Sequence, residues 1–135
     1  MTSGHSGTPL VKKLTLRDGM RVWFDAMPEN VIDEIDEYAL ELRFVAEPGR
    51  GIDAAHIFVT ERKALEDHLA ALRNQIALDG QIWVSWPKPG SSEPNEITED
   101  IIREVGLPLG LVDTKTCDID DVWSGLKLVI RKELR

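Results

Sequence analysis

Residues 54–88 read AAHIFVTERKALEDHLAALRNQIALDGQIWVSWPK, and this stretch decides the fold. Residues 54–60 form an apolar run that only His56 interrupts, which is typical of a buried strand. Leucines then recur every three or four residues, which predicts a helix over residues 61–77 with Thr60 as its N-cap. A second buried strand follows at residues 81–86. A strand, a helix and a strand in this order predict a parallel βαβ unit.

The alternation of helices and strands continues outward from this unit in both directions. Upstream we predict a short helix that Thr8 caps and Pro9 opens, a strand over 20–24, a helix from Pro28 and a strand over 42–45. Downstream we predict a helix over 96–105 and strands over 111–117 and 123–131. An acidic turn at residues 118–121 joins the last two strands, which must therefore pair antiparallel.

These elements predict a single-domain, three-layer Rossmann-like α/β sandwich over residues 1–135, with residues 1–16 as an N-terminal arm and short helix. Its six-stranded sheet is mostly parallel, ends in a C-terminal antiparallel hairpin and has the strand order 2-1-3-4-6-5. The link over residues 47–53 is too short for a crossover helix. Strand 42–45 therefore either connects to a parallel next strand by a bare crossover, that is, a crossover connection without a helix, or pairs antiparallel with it. We favour the bare crossover.

Composition limits the function classes. The chain has 135 residues, 42% of them hydrophobic and 30% charged, as expected of a globular domain. Its net charge of −8 argues against nucleic acid and anionic membranes as partners, because like charges repel. A single cysteine excludes internal disulfides and multi-cysteine metal sites. The N-terminus lacks the basic and apolar regions of a secretory signal, so we expect a cytoplasmic protein.

Two resemblances follow from these patterns. A parallel α/β sheet closed by an antiparallel hairpin resembles the Rossmann-like fold of class I methyltransferases, and so does the segment LDGQIWVSWPK. Those enzymes place a Gly-rich cofactor loop directly after the first strand, whereas residues 24–28 here read FDAMP, without glycine. The motifs SGTPLVKKL, WVSWPK and WSGLK together resemble a small uncharacterised bacterial family, a domain of unknown function. That second resemblance covers essentially the whole chain and implies no known activity.

The candidate site lies where these motifs meet. Ligands of parallel α/β sheets bind beyond the carboxyl ends of the strands. The fourth strand ends at that edge, and the antiparallel sixth strand begins there. We therefore predict a site for a small anionic ligand, to which the N-terminal segment contributes as an anion-binding nest. Its candidate residues are Thr8, Lys13, Ser85, Trp86, Lys88, Trp123, Ser124, Gly125 and Lys127. The alternative is that the tryptophans are core or lid residues and that the lysines are solvated.

Other chemistry-bearing residues favour structural roles. We expect His56 to be buried and hydrogen-bonded, His68 to flank the core stripe of its helix, and Cys117 to be an inert thiol. The acidic residues around the turn at 118–121 are those of a solvated hairpin, and no metal site is predicted. The sequence shows no catalytic residues, no G-x-S-x-G elbow and no acid–base pair.

Three function hypotheses remain open. The leading one is a non-catalytic Rossmann-like domain that binds a small anionic ligand or a protein partner at the carboxyl edge of the sheet, without a cofactor. The first alternative is a degenerate or minimal methyltransferase-like enzyme that uses S-adenosylmethionine. The second alternative is a structural module for protein interaction.

Overall fold

The computed structural model describes residues 7–135 and shows one six-stranded sheet with helices on both sides. The strands are β1 Arg21–Asp25, β2 Arg43–Phe44, β3 Ile52–Phe58, β4 Ile76–Pro87, β5 Leu111–Asp118 and β6 Trp123–Ile130. The α-helices are α1 Leu10–Lys13, α2 Glu29–Asp36, α3 Arg62–Leu72 and α4 Glu99–Gly106. Short 3₁₀ turns lie at Leu107–Leu109 and Lys132–Leu134.

The strand order is β2-β1-β3-β4-β6-β5, which confirms the predicted order and fold class. The neighbours β2, β1, β3 and β4 are parallel, whereas β6 is antiparallel to both β4 and β5. Both β2 and β3 are parallel to β1, and no helix lies between them in the chain. The link that follows β2 is therefore the bare crossover that we favoured.

Each face of the sheet has its own core, because successive side chains of a strand point to opposite faces. The face that packs against α3 and α4, here called the α3 face, buries Leu65 and Leu69 of α3 against Val84 and Leu126. The opposite face, here called the α1 face, packs against α1 and α2 and buries Trp83. Two covered faces make the three layers that the sequence predicts.

The helix α1 is fixed to the middle of the sheet by its C-terminal carbonyl group. The carbonyl oxygen of Leu14 accepts hydrogen bonds from Gln81 Nε2 at 2.8 Å and from Trp83 Nε1 at 2.9 Å. Thr15 then turns the chain away with a φ of 54°, in the left-handed region. Both donors belong to β4, so a four-residue helix that is too short to be stable alone is held by the sheet.

Several predicted helix boundaries are wrong. The helix α3 ends at Leu72, five residues before the predicted end, and β4 already begins at Ile76. Gly80 therefore lies inside β4, where a Cβ atom would come within 3.1 Å of the carbonyl oxygens of Ile52 and Asp53. Close pairing with β3 thus decides the conformation of residues 76–80 and overrides their helical pattern.

The predicted N-caps also shift by one residue. The N-cap of α3 is Glu61 and not Thr60, and the N-cap of α1 is Pro9 and not Thr8. Pro9 has a ψ of 146°, which is an extended conformation, so the helix can begin only at the next residue. Neither helix has a hydrogen-bonded side-chain cap.

Candidate functional site

The carboxyl edge of the sheet brings two of the three motifs together. The carboxyl end of β4 pairs with the first residues of β6, with Trp86 opposite Ser124 and Pro87 opposite Trp123. Lys88 continues this contact, because its backbone N–H donates to the carbonyl oxygen of Val122 at 2.7 Å. WVSWPK and WSGLK therefore meet in register.

The alternation of side chains divides the candidate residues between the two faces of the sheet. Trp86 and its partner Ser124 lie on the α3 face, whereas Ser85 and its partner Gly125 lie on the α1 face. Ser85 and Gly125 are both buried, and of the two only Gly125 borders an open hollow, which it shares with Ser124. Trp123 is partly buried on the α1 face, where its ring lies edge-on to Phe58 at 5.0 Å.

The remaining candidates lie away from this edge. Lys127 is opposite Trp83 in the middle of the sheet, on the α1 face. Thr8 precedes α1 and Lys13 ends it, also on the α1 face. Residues 3–6 of the predicted anion-binding segment lie outside the described part of the chain.

An open cleft lies on the α3 face at the carboxyl edge, with a volume of about 610 Å³. We call it the edge cleft; its lining includes Trp86, Pro87, Asn95, Ile97, Thr98, Glu99, Arg103 and Ser124. A second hollow of about 340 Å³ shares Trp86, Glu99 and Ser124 with it. That hollow extends the edge cleft along β5 to Thr116 and Asp118.

The loop before α4 is anchored so that the edge cleft keeps its shape. Asn95 Oδ1 accepts from the backbone N–H of Ile97 at 2.9 Å, and Asn95 Nδ2 donates to the carbonyl oxygen of Ile97 at 2.9 Å. Thr98 caps α4 by accepting from the backbone N–H of Ile101 at 3.2 Å. The side chain of Ile97 is buried, which ties the loop to the core.

Carboxylates engage two cations: Arg103, which lines the edge cleft, and Lys88, which follows Pro87 of its lining. Arg103 donates to Asp113 at 3.1 Å, to Glu99 at 2.8 Å and to Asp100 at 3.2 Å. The hydrogen bonds to Asp113, first, and to Glu99 raise the pKa of Arg103. Lys88 Nζ lies 3.5 Å from Asp118. Two cations thus face four carboxylates, an arrangement that favours a neutral or cationic ligand over an anion.

A buried serine–histidine pair lies on the other face of β3 and β4. His56 Nε2 and Ser85 Oγ are 2.7 Å apart, and the imidazole stacks on Phe58 with ring centroids 4.5 Å apart. Burial lowers the pKa of His56 to about 3, so the ring is neutral at physiological pH. The expectation of a buried, hydrogen-bonded His56 is confirmed. Because Ser85 is fully buried, this pair cannot reach a substrate.

A partly exposed acid–base pair lies at the carboxyl end of β1, where the sequence offered none. His68 Nε2 of α3 is 3.1 Å from Asp25 Oδ2, and the His68 ring lies 5.7 Å from the ring of Trp23. The neighbours β1 and β3 form the point at which the strand order reverses, which is where ligands of such sheets bind. The two residues are 43 positions apart, so only the pairing of β1 with β3 could have indicated this contact.

The turn after β1 holds alanine where a glycine would be expected for close approach to a cofactor. Ala26 has a φ of 56°, a left-handed conformation that a residue with a Cβ rarely adopts. Phe24, two residues before Ala26, packs edge-on against Phe44 of β2 at 5.6 Å. The turn is therefore tight, and each of its residues carries a side chain, so it lacks a glycine at which the backbone could approach a cofactor closely.

The acidic turn between β5 and β6 has the structural role that was predicted. Asp120 Oδ1 accepts from the backbone N–H groups of Val122 and Trp123, both at 2.8 Å, and its other oxygen accepts from Asn30. In residues 7–135 no three histidine, cysteine or acidic side chains are grouped closely enough to hold a metal ion. None of the described helices is long and apolar enough to span a membrane.

The architecture is similar to that of solved methyltransferases at very low sequence identity. A SAM-dependent methyltransferase from Aquifex aeolicus aligns with a TM-score of 0.61 and 11% identity over 90% of this chain and 88% of that chain. A putative type 11 methyltransferase from Sulfolobus solfataricus aligns with a TM-score of 0.58 and 12% identity over 91% and 90% of the two chains. Aeropyrum pernix fibrillarin, solved with bound S-adenosyl-L-methionine, aligns with a TM-score of 0.54 and 10% identity over 90% and 69%. This similarity shows the fold alone.

Sequence comparison identifies the family. A search of curated proteins found no match. The model of a family described as "Protein of unknown function (DUF3052)" matches residues 21–132, a range that contains every strand of the sheet. Two of the three motifs, WVSWPK and WSGLK, lie inside this range. The resemblance drawn from those motifs is thereby confirmed, and the chain belongs to the DUF3052 family.

Proposed function

We propose that this chain is a non-catalytic Rossmann-like domain that binds a small ligand in the edge cleft. The observation that carries the proposal is the cleft itself, which lies at the carboxyl edge of the sheet and measures about 610 Å³. This volume falls within the range of small-molecule sites, and the location is where open α/β sheets bind ligands.

The lining indicates the chemical class of the ligand. Trp86, Pro87 and Pro89 supply the apolar part of the lining, and the Ser124 hydroxyl group supplies a polar contact. An anion would meet an excess of carboxylates, because Glu99 and Asp100 line the edge cleft and already pair with Arg103. We therefore propose an uncharged or cationic organic ligand here, in place of the anion expected from the sequence.

Two features of the described residues support binding without catalysis. The serine that is hydrogen-bonded to a histidine, Ser85, is fully buried and cannot act as a nucleophile. The turn after β1 lacks the glycine that would let the backbone approach a cofactor.

A methyltransferase-like enzyme that uses S-adenosylmethionine is the second candidate. The fold similarity favours it, and so does the Asp25–His68 pair at the switch point between β1 and β3. A partly exposed histidine oriented by a carboxylate is a common general base.

Thermal unfolding with added compounds separates the two candidates. The probes are a panel of uncharged heteroaromatic compounds that includes adenosine, and S-adenosylmethionine with S-adenosylhomocysteine. A ligand that binds only the folded state raises the melting temperature. We expect the uncharged compounds to do so and Ser124→Tyr, which fills the edge cleft, to abolish the effect.

Thr114→Tyr is the matched control, because Thr114 is exposed on β5 and does not line the edge cleft. A shift with S-adenosylmethionine that Asp25→Asn removes and Ser124→Tyr leaves intact would favour the enzyme. If the uncharged compounds raised the melting temperatures of the native protein and of Ser124→Tyr equally, this result would contradict binding in the edge cleft.

A further inference from the structure

Four cationic residues of α1, the following loop and two strands lie near one another on the α1 face, away from the edge cleft. Lys115 of β5 and Lys127 of β6 are directly opposite each other in the sheet. Like charges at such positions destabilise a strand pair. Lys13 ends α1, and Arg17 follows in the loop that leads to β1. We call these four residues the cationic cluster.

Contacts between the elements hold the cationic cluster together. Lys115 Nζ donates to the carbonyl oxygen of Lys13 at 2.8 Å, which joins β5 to the end of α1. Trp83 of β4 is opposite Lys127 of β6 and donates to the carbonyl oxygen of Leu14, the residue that follows α1, at 2.9 Å. The end of α1 is therefore fixed beside both lysines.

The charges of the cationic cluster are not neutralised by ion pairs. None of the salt bridges found in residues 7–135 includes a member of the cluster. The pKa of Lys127 is lowered, first by partial burial and then by the charges of Lys115 and Arg17. The cationic cluster is thus a local excess of positive charge in a protein with a net charge of −8, and its internal repulsion opposes folding.

We propose that the cationic cluster is a binding site for the phosphate group of a small molecule. The neighbouring ammonium groups of Lys115 and Lys127 suit a compact, multiply charged anion, which they can contact by charge-assisted hydrogen bonds, and Lys13 and Arg17 add positive charge nearby. An extended acidic protein segment fits less well. Its acidic residues beyond the cationic cluster would be repelled by the net negative charge of the rest of the protein. A bound phosphate group would also relieve the repulsion between Lys115 and Lys127.

Titration with inorganic pyrophosphate by calorimetry at constant ionic strength tests the proposal. We expect saturable binding to the native protein and affinities at least tenfold lower for Lys115→Gln and Lys127→Gln. Lys63→Gln is the matched control, since Lys63 is an exposed lysine of α3 that pairs with Asp67 at 3.0 Å. This variant should bind pyrophosphate as the native protein does. No saturable binding at 10 mM pyrophosphate, or an equal loss of affinity in all three variants, would overturn the proposal.

Two further measurements test whether the variants are folded and whether the cationic cluster binds an acidic protein segment instead of a phosphate group. Without ligand, Lys127→Gln should melt no lower than the native protein, because the substitution removes repulsion. Under the same conditions, poly-glutamate should bind more weakly than pyrophosphate. Tighter binding of poly-glutamate would assign the cationic cluster to an acidic protein partner and overturn the phosphate site.

Discussion

At the scale of single residues, the centre of the sheet depends on a few tight contacts on the α1 face. Ser85 and His56 satisfy each other's hydrogen-bonding groups at 2.7 Å, and Gly125 lies beside Ser85 on the next strand. An added Cβ atom at position 125 would crowd its neighbours at 3.1–3.3 Å, and among the described residues a charged His56 has no acidic partner. The free energy of unfolding should therefore depend on substitution of Gly125 and on the protonation of His56.

The substitution Gly125→Ala should destabilise the protein by about 1–3 kcal/mol, the usual cost of overpacking a core. An added Cβ atom would lie 3.1 Å from Ile119 Cδ1, 3.3 Å from Ser85 Oγ and 3.3 Å from Trp83 Cε3. Gly49→Ala is the control, because a Cβ atom there meets nothing within 4 Å. Urea unfolding measures both variants, and equal midpoints would show that the contacts at position 125 relax without cost.

The free energy of unfolding should decrease as the pH falls from about 6.5 towards 3. The pKa of His56 is 6.5 when unfolded and about 3 when folded, so in this window the unfolded chain binds a proton that the folded chain does not. The linked slope is about 1.4 kcal/mol per pH unit. We expect His56→Gln to have a shallower dependence on pH than the native protein, as measured by urea unfolding between pH 4 and 7.

Ser85→Ala separates this titration from the loss of the hydrogen bond. The variant leaves His56 Nε2 buried without a partner, which costs about 1–3 kcal/mol at all pH values. It should nevertheless keep the pH slope of the native protein, because His56 is still present. The same slope in His56→Gln as in the native protein would refute the assignment of the titration to this residue.

At the scale of elements, α4 and the loop before it form one wall of the edge cleft. The sequence predicts a capping threonine for α3, but the structure places the hydrogen-bonded cap on α4. Thr98 accepts from the backbone N–H of Ile101, whereas α3 has no side-chain cap. The difference arises because Glu61 takes the N-cap position of α3.

The substitution Thr98→Ala should destabilise the protein by about 1 kcal/mol, the typical cost of losing an N-cap. Thr60→Ala is the matched control and should have little effect on the free energy of unfolding. Urea denaturation of the two variants side by side checks this expectation. If Thr60→Ala lost more free energy of unfolding than Thr98→Ala, the result would support Thr60 as the cap of α3, as the sequence predicted.

At the scale of the whole molecule, the order and direction of the strands could be predicted, because apolar runs and short links leave few arrangements. The edge shared by β4 and β6 could also be predicted. The sequence analysis did not predict that the candidate residues divide between the two faces of the sheet. Their alternation could have indicated it, because neighbouring residues such as Ser85 and Trp86 must point to opposite sides of a strand. Contacts such as Asp25 with His68 and Lys115 with Lys13 join elements far apart in the chain, and no local pattern encodes them.

The two hydrogen bonds to the Leu14 carbonyl oxygen also have a consequence for the order of folding. Their donors, Gln81 and Trp83, lie 67 and 69 positions later in the chain. During synthesis, α1 therefore leaves the ribosome long before the strand that fixes it, and contacts of such wide sequence separation form slowly. Lys13 can join Lys115 only after β5 has been made, so the cationic cluster is among the last parts of the molecule to assemble.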